Sequence, residues 1–152
     1  MGLSEEVELL RNIPLFSKIE PAKLKLLAFT SERLTFAGGD ELFHQGDSGD
    51  AAYIIIGGAA EILIDTDNGP MSVATVGRND IIGEIAILCD VPRTATVRAS
   101  EQLETLKISK DLFFRLIAEF PQISIEIMRE LAERLERTTN QLRDARTQLA
   151  AG

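Results

Sequence analysis

Glu84 and Arg93 stand nine positions apart in the stretch GEIAILCDVPRTATV (83–97), and the residues between them are mostly apolar. A carboxylate accepts hydrogen bonds from hydroxyl groups, and a guanidinium is a planar fork that grips phosphate oxygens through two N–H groups at once. Gly83-Glu84-Ile85-Ala86-Ile87-Leu88 reads as one short helical turn entered through a glycine. The first N–H groups of such a turn have no partner within the helix and favour an anion. The two charged side chains either bind each other or together bind a small molecule that carries a hydroxyl and an anionic group, such as a ribose phosphate. A buried ion pair often adds no net stability, so the ligand is the better explanation.

These side chains need a scaffold. Residues 3–30 read as helical, with Ser4 as the first cap, Glu5 and Glu6 in the opening turn, an interruption at Pro14 and a restart at Pro21. From about residue 33 the pattern changes to short apolar or alternating runs at 34–36, 41–44, 52–56, 59–65, 71–76, 94–99 and 103–108. Clusters of Gly, Asp and Asn separate them, which predicts a sandwich, jelly roll or small barrel. Ser109 is placed to cap a helix over 110–118, and Pro121 to open a long final helix. In that helix Met128, Leu131, Leu135, Thr138, Leu142, Ala145 and Leu149 recur at alternating steps of three and four, a heptad seam. The seam outruns what a small barrel could cover, so a parallel contact with a second copy is expected. The other reading is that this face packs on the chain's own barrel.

Composition bounds the function. The 152 residues are 45% hydrophobic and 26% charged with a formal net charge of −8, which suits a packed globular core. No clustered basic face is evident, so nucleic acid is not an expected partner. No apolar run approaches the ~18 residues of a membrane helix, and no membrane partner is expected. The opening MGLSEEVELL is acidic and lacks a secretory n-region. Glu6 stands where a myristoylation start needs Ser or Thr. Cys89 is the single cysteine, which rules out an intrachain disulfide and points to the cytoplasm.

The segment 83–97 resembles the phosphate-binding cassette of the cyclic nucleotide-binding domain family: Gly-Glu-apolar-Ala, a spacer, then Pro-Arg-[Ser/Thr/Ala]-Ala-[Ser/Thr]. The stretch FAGGDELFHQGDSGDAAYIIIGGAAEI (36–62) is similar to that family's β-roll pattern at Gly39, Gly46, Asp47, Tyr53, Ile55 and Gly58. The resemblance covers roughly residues 10–140. It implies an α+β fold, an eight-stranded antiparallel β-roll (a double-stranded jelly roll) with N-terminal helices and a long C-terminal helix. One domain is expected over 1–152, with helices at about 3–30, the roll at about 33–108 and C-terminal helices at about 109–150.

The resemblance also implies roles. Glu84 accepts the ribose 2′-hydroxyl. Arg93 pairs with the cyclic phosphate, helped by the backbone around Gly83, Ile85 and Ala86 and by Thr94 and Ala95. The stretch AERLERTT (132–139) is similar to the final helix of the catabolite activator protein branch. It implies Thr138 and Thr139 as base contacts and Arg134 as a lid near the phosphate. Two positions depart from the pattern: Ile82 stands where an aromatic is usual, and Gly38-Gly39-Asp40 replaces one glycine followed by Glu. No helix-turn-helix follows residue 140, so a complete DNA-binding regulator is not expected.

The expectation is a sensor without catalysis or cofactor that binds cAMP, with cGMP left open by Thr94. It would form a homodimer through its last helix and signal to an effector protein not identified by the sequence. The alternative is a roll-and-helix interaction module that no longer binds nucleotide, and a third reading is a regulatory piece of a larger protein. A metal-dependent roll enzyme needs a histidine cluster, and His44 is the only histidine. Asp65-Thr66-Asp67-Asn68-Gly69 resembles the start of a calcium loop, but its glycine falls early and Val76 stands where a bidentate Glu belongs. It is read as a hairpin turn. Asp47 and Asp50 are read as turn formers, and Cys89 beside Asp90 as unreactive.

Overall fold

The computed structural model describes residues 3–13 and 16–151. Pro14, the expected interruption, lies outside them. Among the described residues five α-helices and eight strands follow in order: α1 (Leu3–Arg11), α2 (Pro21–Thr30), β1 (Glu32–Phe36), β2 (Glu41–Phe43), β3 (Ala51–Gly57), β4 (Ala59–Thr66), β5 (Gly69–Gly77), β6 (Ile81–Ile82), α3 (Glu84–Cys89), β7 (Thr96–Ala99), β8 (Leu103–Ser109), α4 (Lys110–Glu119) and α5 (Pro121–Ala151). The strands form two four-stranded sheets, ordered β1-β8-β3-β6 and β2-β7-β4-β5. Every pairing is antiparallel. The expected α+β roll is the fold observed.

β3 explains why its sequence reads as an unbroken apolar run. Ala51, Tyr53 and Ile55 point into the roll, where they meet Ala60, Val76, Ile82, Val97, Ala99 and Leu103. Ala52, Ile54 and Ile56 point the other way, into a second core shared with Leu24 and Leu27 of α2, Phe113 of α4, and Ile123 and Ile127 of α5. Successive strand side chains alternate faces, so a strand between two cores must be apolar at every position. The two-residue β6 follows the same rule, with Ile81 in the outer core and Ile82 in the inner one.

Several boundaries differ from the sequence reading. Ser4 falls inside the first turn of α1 rather than before it, a shift within the usual uncertainty of helix ends. β6 was not among the expected runs, because two residues are too few to show a period. Thr94 and Ala95, read as the start of a strand, precede β7, which begins at Thr96. They are held in the connecting loop by Arg93, whose own N–H donates to Asp47 O at 2.7 Å and whose carbonyl accepts from Gly46 N at 2.9 Å. Residues 65–69 form the β4–β5 hairpin, where Thr66 Oγ1 donates to Gly69 O at 2.6 Å. His44 is exposed just beyond β2, beside Glu41 at 3.0 Å, and that hydrogen bond raises its pKa. Asp47 fits its reading as a turn former, for its Oδ2 accepts from His44 N at 3.1 Å.

The C-terminal helices start where the sequence places them. Ser109 Oγ accepts from Leu112 N at 3.2 Å, capping α4. Ser109→Ala is expected to cost about 1 kcal/mol of stability, the usual worth of an N-cap, read as a shift of the urea unfolding midpoint at unchanged slope. α5 opens at Pro121 and packs on the domain through Ile123, Ile127 and the partly buried Leu131. Beyond that the seam lies open: Leu135, Leu142 and Leu149 are exposed. No helix among the described residues is long and apolar enough to cross a membrane.

Candidate functional site

Gly83 has φ of +86°, a left-handed conformation that costs a residue with a Cβ and costs glycine little. This residue turns the chain from β6 into α3 and lets Arg93 come close, as a Cβ here would lie 2.7 Å from Arg93 Nη1. Glu84 follows as the first residue of α3, and Ala86 and Ile87 bury the other side of the turn. Glu84 and Arg93 are only 2% and 4% exposed, which sets them apart from the other charged side chains described.

Arg93 is held as a buried cation by backbone carbonyls. Nη1 donates to Gly83 O at 2.9 Å and Nη2 to Ala51 O at 2.7 Å, so α3 and β3 share its head group. The guanidinium lies 3.9 Å over the centre of the Phe43 ring, a cation–π contact. Nε–H is buried with no hydrogen-bond partner among the described residues. Burial pulls the Arg93 pKa below its ordinary value, against the opposing fields of Tyr53, Asp50, Asp47 and Glu84. A buried cation with an unused donor is costly to keep, and an anion beside it removes that cost.

Glu84 forms its ion pair with Arg134 of α5, while Arg93 turns to the carbonyls. Arg134 Nη1 lies 2.9 Å from Glu84 Oε1, and Nη2 donates to Ile81 O at 3.3 Å. Around these groups is a cavity of about 90 Å³, lined by Gly83, Glu84, Ile85, Ala86, Arg93, Thr94, Ala95 and Arg134 with Phe43, Ile62, Ile82 and Val97. Eight of the residues picked from the sequence are therefore brought together. Thr138 and Thr139 are exposed further along α5 and are not in this lining. Phe43 and Ile81 were missed by the sequence reading. Nothing in a lone Phe or an apolar pair signals a ring under a guanidinium or a carbonyl that receives an arginine.

Comparison with known proteins agrees with this geometry. The profile described as the cyclic nucleotide-binding domain matches residues 33–120, which takes in the roll, the cassette and α4. A protein of Mycobacterium tuberculosis named "CRP-like cAMP-activated global transcriptional regulator" is 32% identical over 138 residues, 90% of this chain and 62% of that protein. A cAMP-dependent protein kinase regulatory subunit of Blastocladiella emersonii is 36% identical over 115 residues, 75% of this chain and 28% of that protein. The chain thus spans less than two thirds of the length of either relative. The structure of Thermus thermophilus catabolite activator protein superposes with a TM-score of 0.75 at 27% identity, covering 85% of this chain and 61% of that one. The cassette between β6 and β7, the two-sheet roll that carries it and the matched profile lead to one assignment: the chain belongs to the cyclic nucleotide-binding domain family.

Proposed function

We propose that this chain is a non-catalytic sensor that binds a cyclic nucleotide, cAMP in preference to cGMP, and reports it through α5. The observation that carries the reading is Arg93: a buried guanidinium beside Gly83 and Glu84 with Nε–H unused. A cyclic phosphate supplies the acceptor. In this reading Arg93 and the backbone of 83–86 take the phosphate, with Thr94 and Ala95 at its edge. Glu84 takes the ribose 2′-hydroxyl. Arg134 stands at the rim, and Thr138 and Thr139 reach the base when α5 closes over it. The relatives named for cAMP support that nucleotide first, and the exposed Thr94 hydroxyl keeps guanine open.

No reacting group or cofactor is needed for this task. Ligand moves a pre-existing equilibrium of α5 by its difference in affinity for the two positions. The open seam through Leu135, Leu142 and Leu149 suits pairing with a second copy, and an effector protein would read the change.

The test is calorimetric titration of the purified chain with cAMP and, separately, cGMP. Saturable binding that is tighter for cAMP is expected. No heat with either nucleotide, for a folded chain freed of carried-over ligand, would overturn the reading and leave an interaction module built on the same roll.

A further inference from the structure

β2 runs only from Glu41 to Phe43, and its pairing with β7 slips by one residue: Glu41 stands opposite Arg98 and Phe43 opposite Val97. Successive side chains of a regular strand point to opposite faces, yet Leu42 and Phe43 both pack on the inner core. The bulge allows this, because an extra residue in one strand re-aims the side chain beside it. The side chain it turns inward is the ring under Arg93, with the guanidinium carbon 3.9 Å from the ring centre. We infer that Phe43 is a positioning residue for the anion-binding arginine: its ring holds the Arg93 guanidinium ready in the pocket, so that a phosphate meets it already in place. This rests on the nucleotide-binding reading above and adds to it the part that sets the arginine.

The donors of Arg93 show why a ring suits this place. The N–H groups of a guanidinium all lie in one plane. Gly83 O takes one from Nη1 and Ala51 O one from Nη2, while Nε–H has no partner among the described residues. The carbonyls hold the tips. The ring covers a face, where no N–H points, so it fixes the plane without using a donor. An anion meets the edge, and ring and phosphate do not compete for the same side of Arg93. The ring is itself held. Its centre lies 6.0 Å from that of Tyr53, which lies 6.4 Å from that of Phe36. Tyr53 belongs to β3, the strand whose Ala51 O grips Nη2, so one strand backs the ring and holds the guanidinium. A methyl added at Gly83 would lie 3.4 Å from Phe43 Cε2 and 2.7 Å from Arg93 Nη1, which leaves the two side chains little room to part. Charge decides between a ring and an aliphatic filler. Burial works against the cation, and an aromatic face attracts a cation, more strongly when water is excluded. A leucine would fill the space and offer no such attraction.

Mono-, di- and trifluorinated phenylalanine, placed at position 43 by codon suppression, drain the ring face in steps and nearly keep its size. These chains, Phe43→Leu and the unaltered chain are each titrated with cAMP by calorimetry, and urea unfolding establishes that they fold. The same series at Phe36, whose ring meets Tyr53 edge to face, is the control. Affinity is expected to fall stepwise with fluorination at position 43, by about three- to ten-fold for the trifluorinated ring and at least as far for Phe43→Leu. It is expected to stay level at position 36. Level affinity across the position 43 series, while the unaltered chain binds, would reduce Phe43 to a filler of space and overturn the proposal, leaving the nucleotide reading standing. Tighter binding with each fluorine, the sign of a ring that competes with the anion, would overturn it as well. So would an equal fall at position 36, which would trace the effect to packing around Tyr53. If the unaltered chain binds no cAMP, the nucleotide reading and this role of Phe43 fall together.

Discussion

Arg93→Ala is expected to weaken nucleotide binding by at least about 30-fold in a chain that still folds. The guanidinium is the one buried cation at the pocket among the described residues, and it is fixed from two sides by Gly83 O and Ala51 O. A phosphate that loses this partner keeps only backbone donors and whatever water enters. Truncating one member of a buried charge pair costs about 2–5 kcal/mol, or roughly 30- to 4,000-fold in affinity. Arg93→Lys should recover little of this, because an ammonium is a point donor and cannot span both carbonyls while facing the anion. Calorimetry with cAMP, paired with circular dichroism to establish the fold, reads both variants. Wild-type affinity in folded Arg93→Ala would remove the phosphate from this site.

Gly83→Ala should be the other severe change, and it strikes the fold and the ligand together. The backbone there sits at φ +86°, which costs an L-residue about 1–2 kcal/mol. The added methyl would also lie 2.7 Å from Arg93 Nη1, 3.1 Å from Ala51 O and 3.4 Å from the Phe43 ring. It wedges the arginine away from the carbonyl that holds it. Together these should cost about 2–4 kcal/mol of stability, at the upper end of single substitutions, with binding lost. Gly46→Ala is the control. Its φ is +94° and nothing lies within 4 Å of the new methyl, so it should show the backbone cost alone and keep its ligand. Equal losses of stability in the two variants, by urea unfolding, would mean that the close approach of Arg93 contributes nothing.

The cassette is legible in the amino-acid sequence because its members are close along the chain and chemically unusual where they stand. A glycine, an acid and an arginine at fixed spacing within an apolar stretch need a reason to be there, and the geometry brings Gly83, Glu84 and Arg93 to one cavity. α4 and α5 are equally legible, because Ser109 and Pro121 mark where they begin. The pairing of Glu84 with Arg134 is hidden for a physical reason. It depends on how α5 docks, and that is fixed by Ile123 and Ile127 in the outer core, not by any local pattern near Arg134. β6 is hidden because β3 supplies its register, pairing Tyr53 with Ile82 and Ile54 with Ile81. Thr138 and Thr139 are exposed and stand outside the cavity lining, and the base contact that the resemblance implies for them belongs to the proposed closing of α5.

The uncovered length of α5 has the geometry of a lever anchored on the outer core through Ile123, Ile127 and Leu131. From Arg134 to Ala151 the helix extends about 25 Å at 1.5 Å per residue. A tilt of about 10° at the pivot carries the far end roughly 4 Å, the size of a side chain. Under the proposed nucleotide reading, a tilt of α5 driven from the pocket would displace the exposed Leu142 and Leu149 by enough to change how a partner packs on them. The exposed leucines are set at the long arm of that lever, where the gain in motion is greatest.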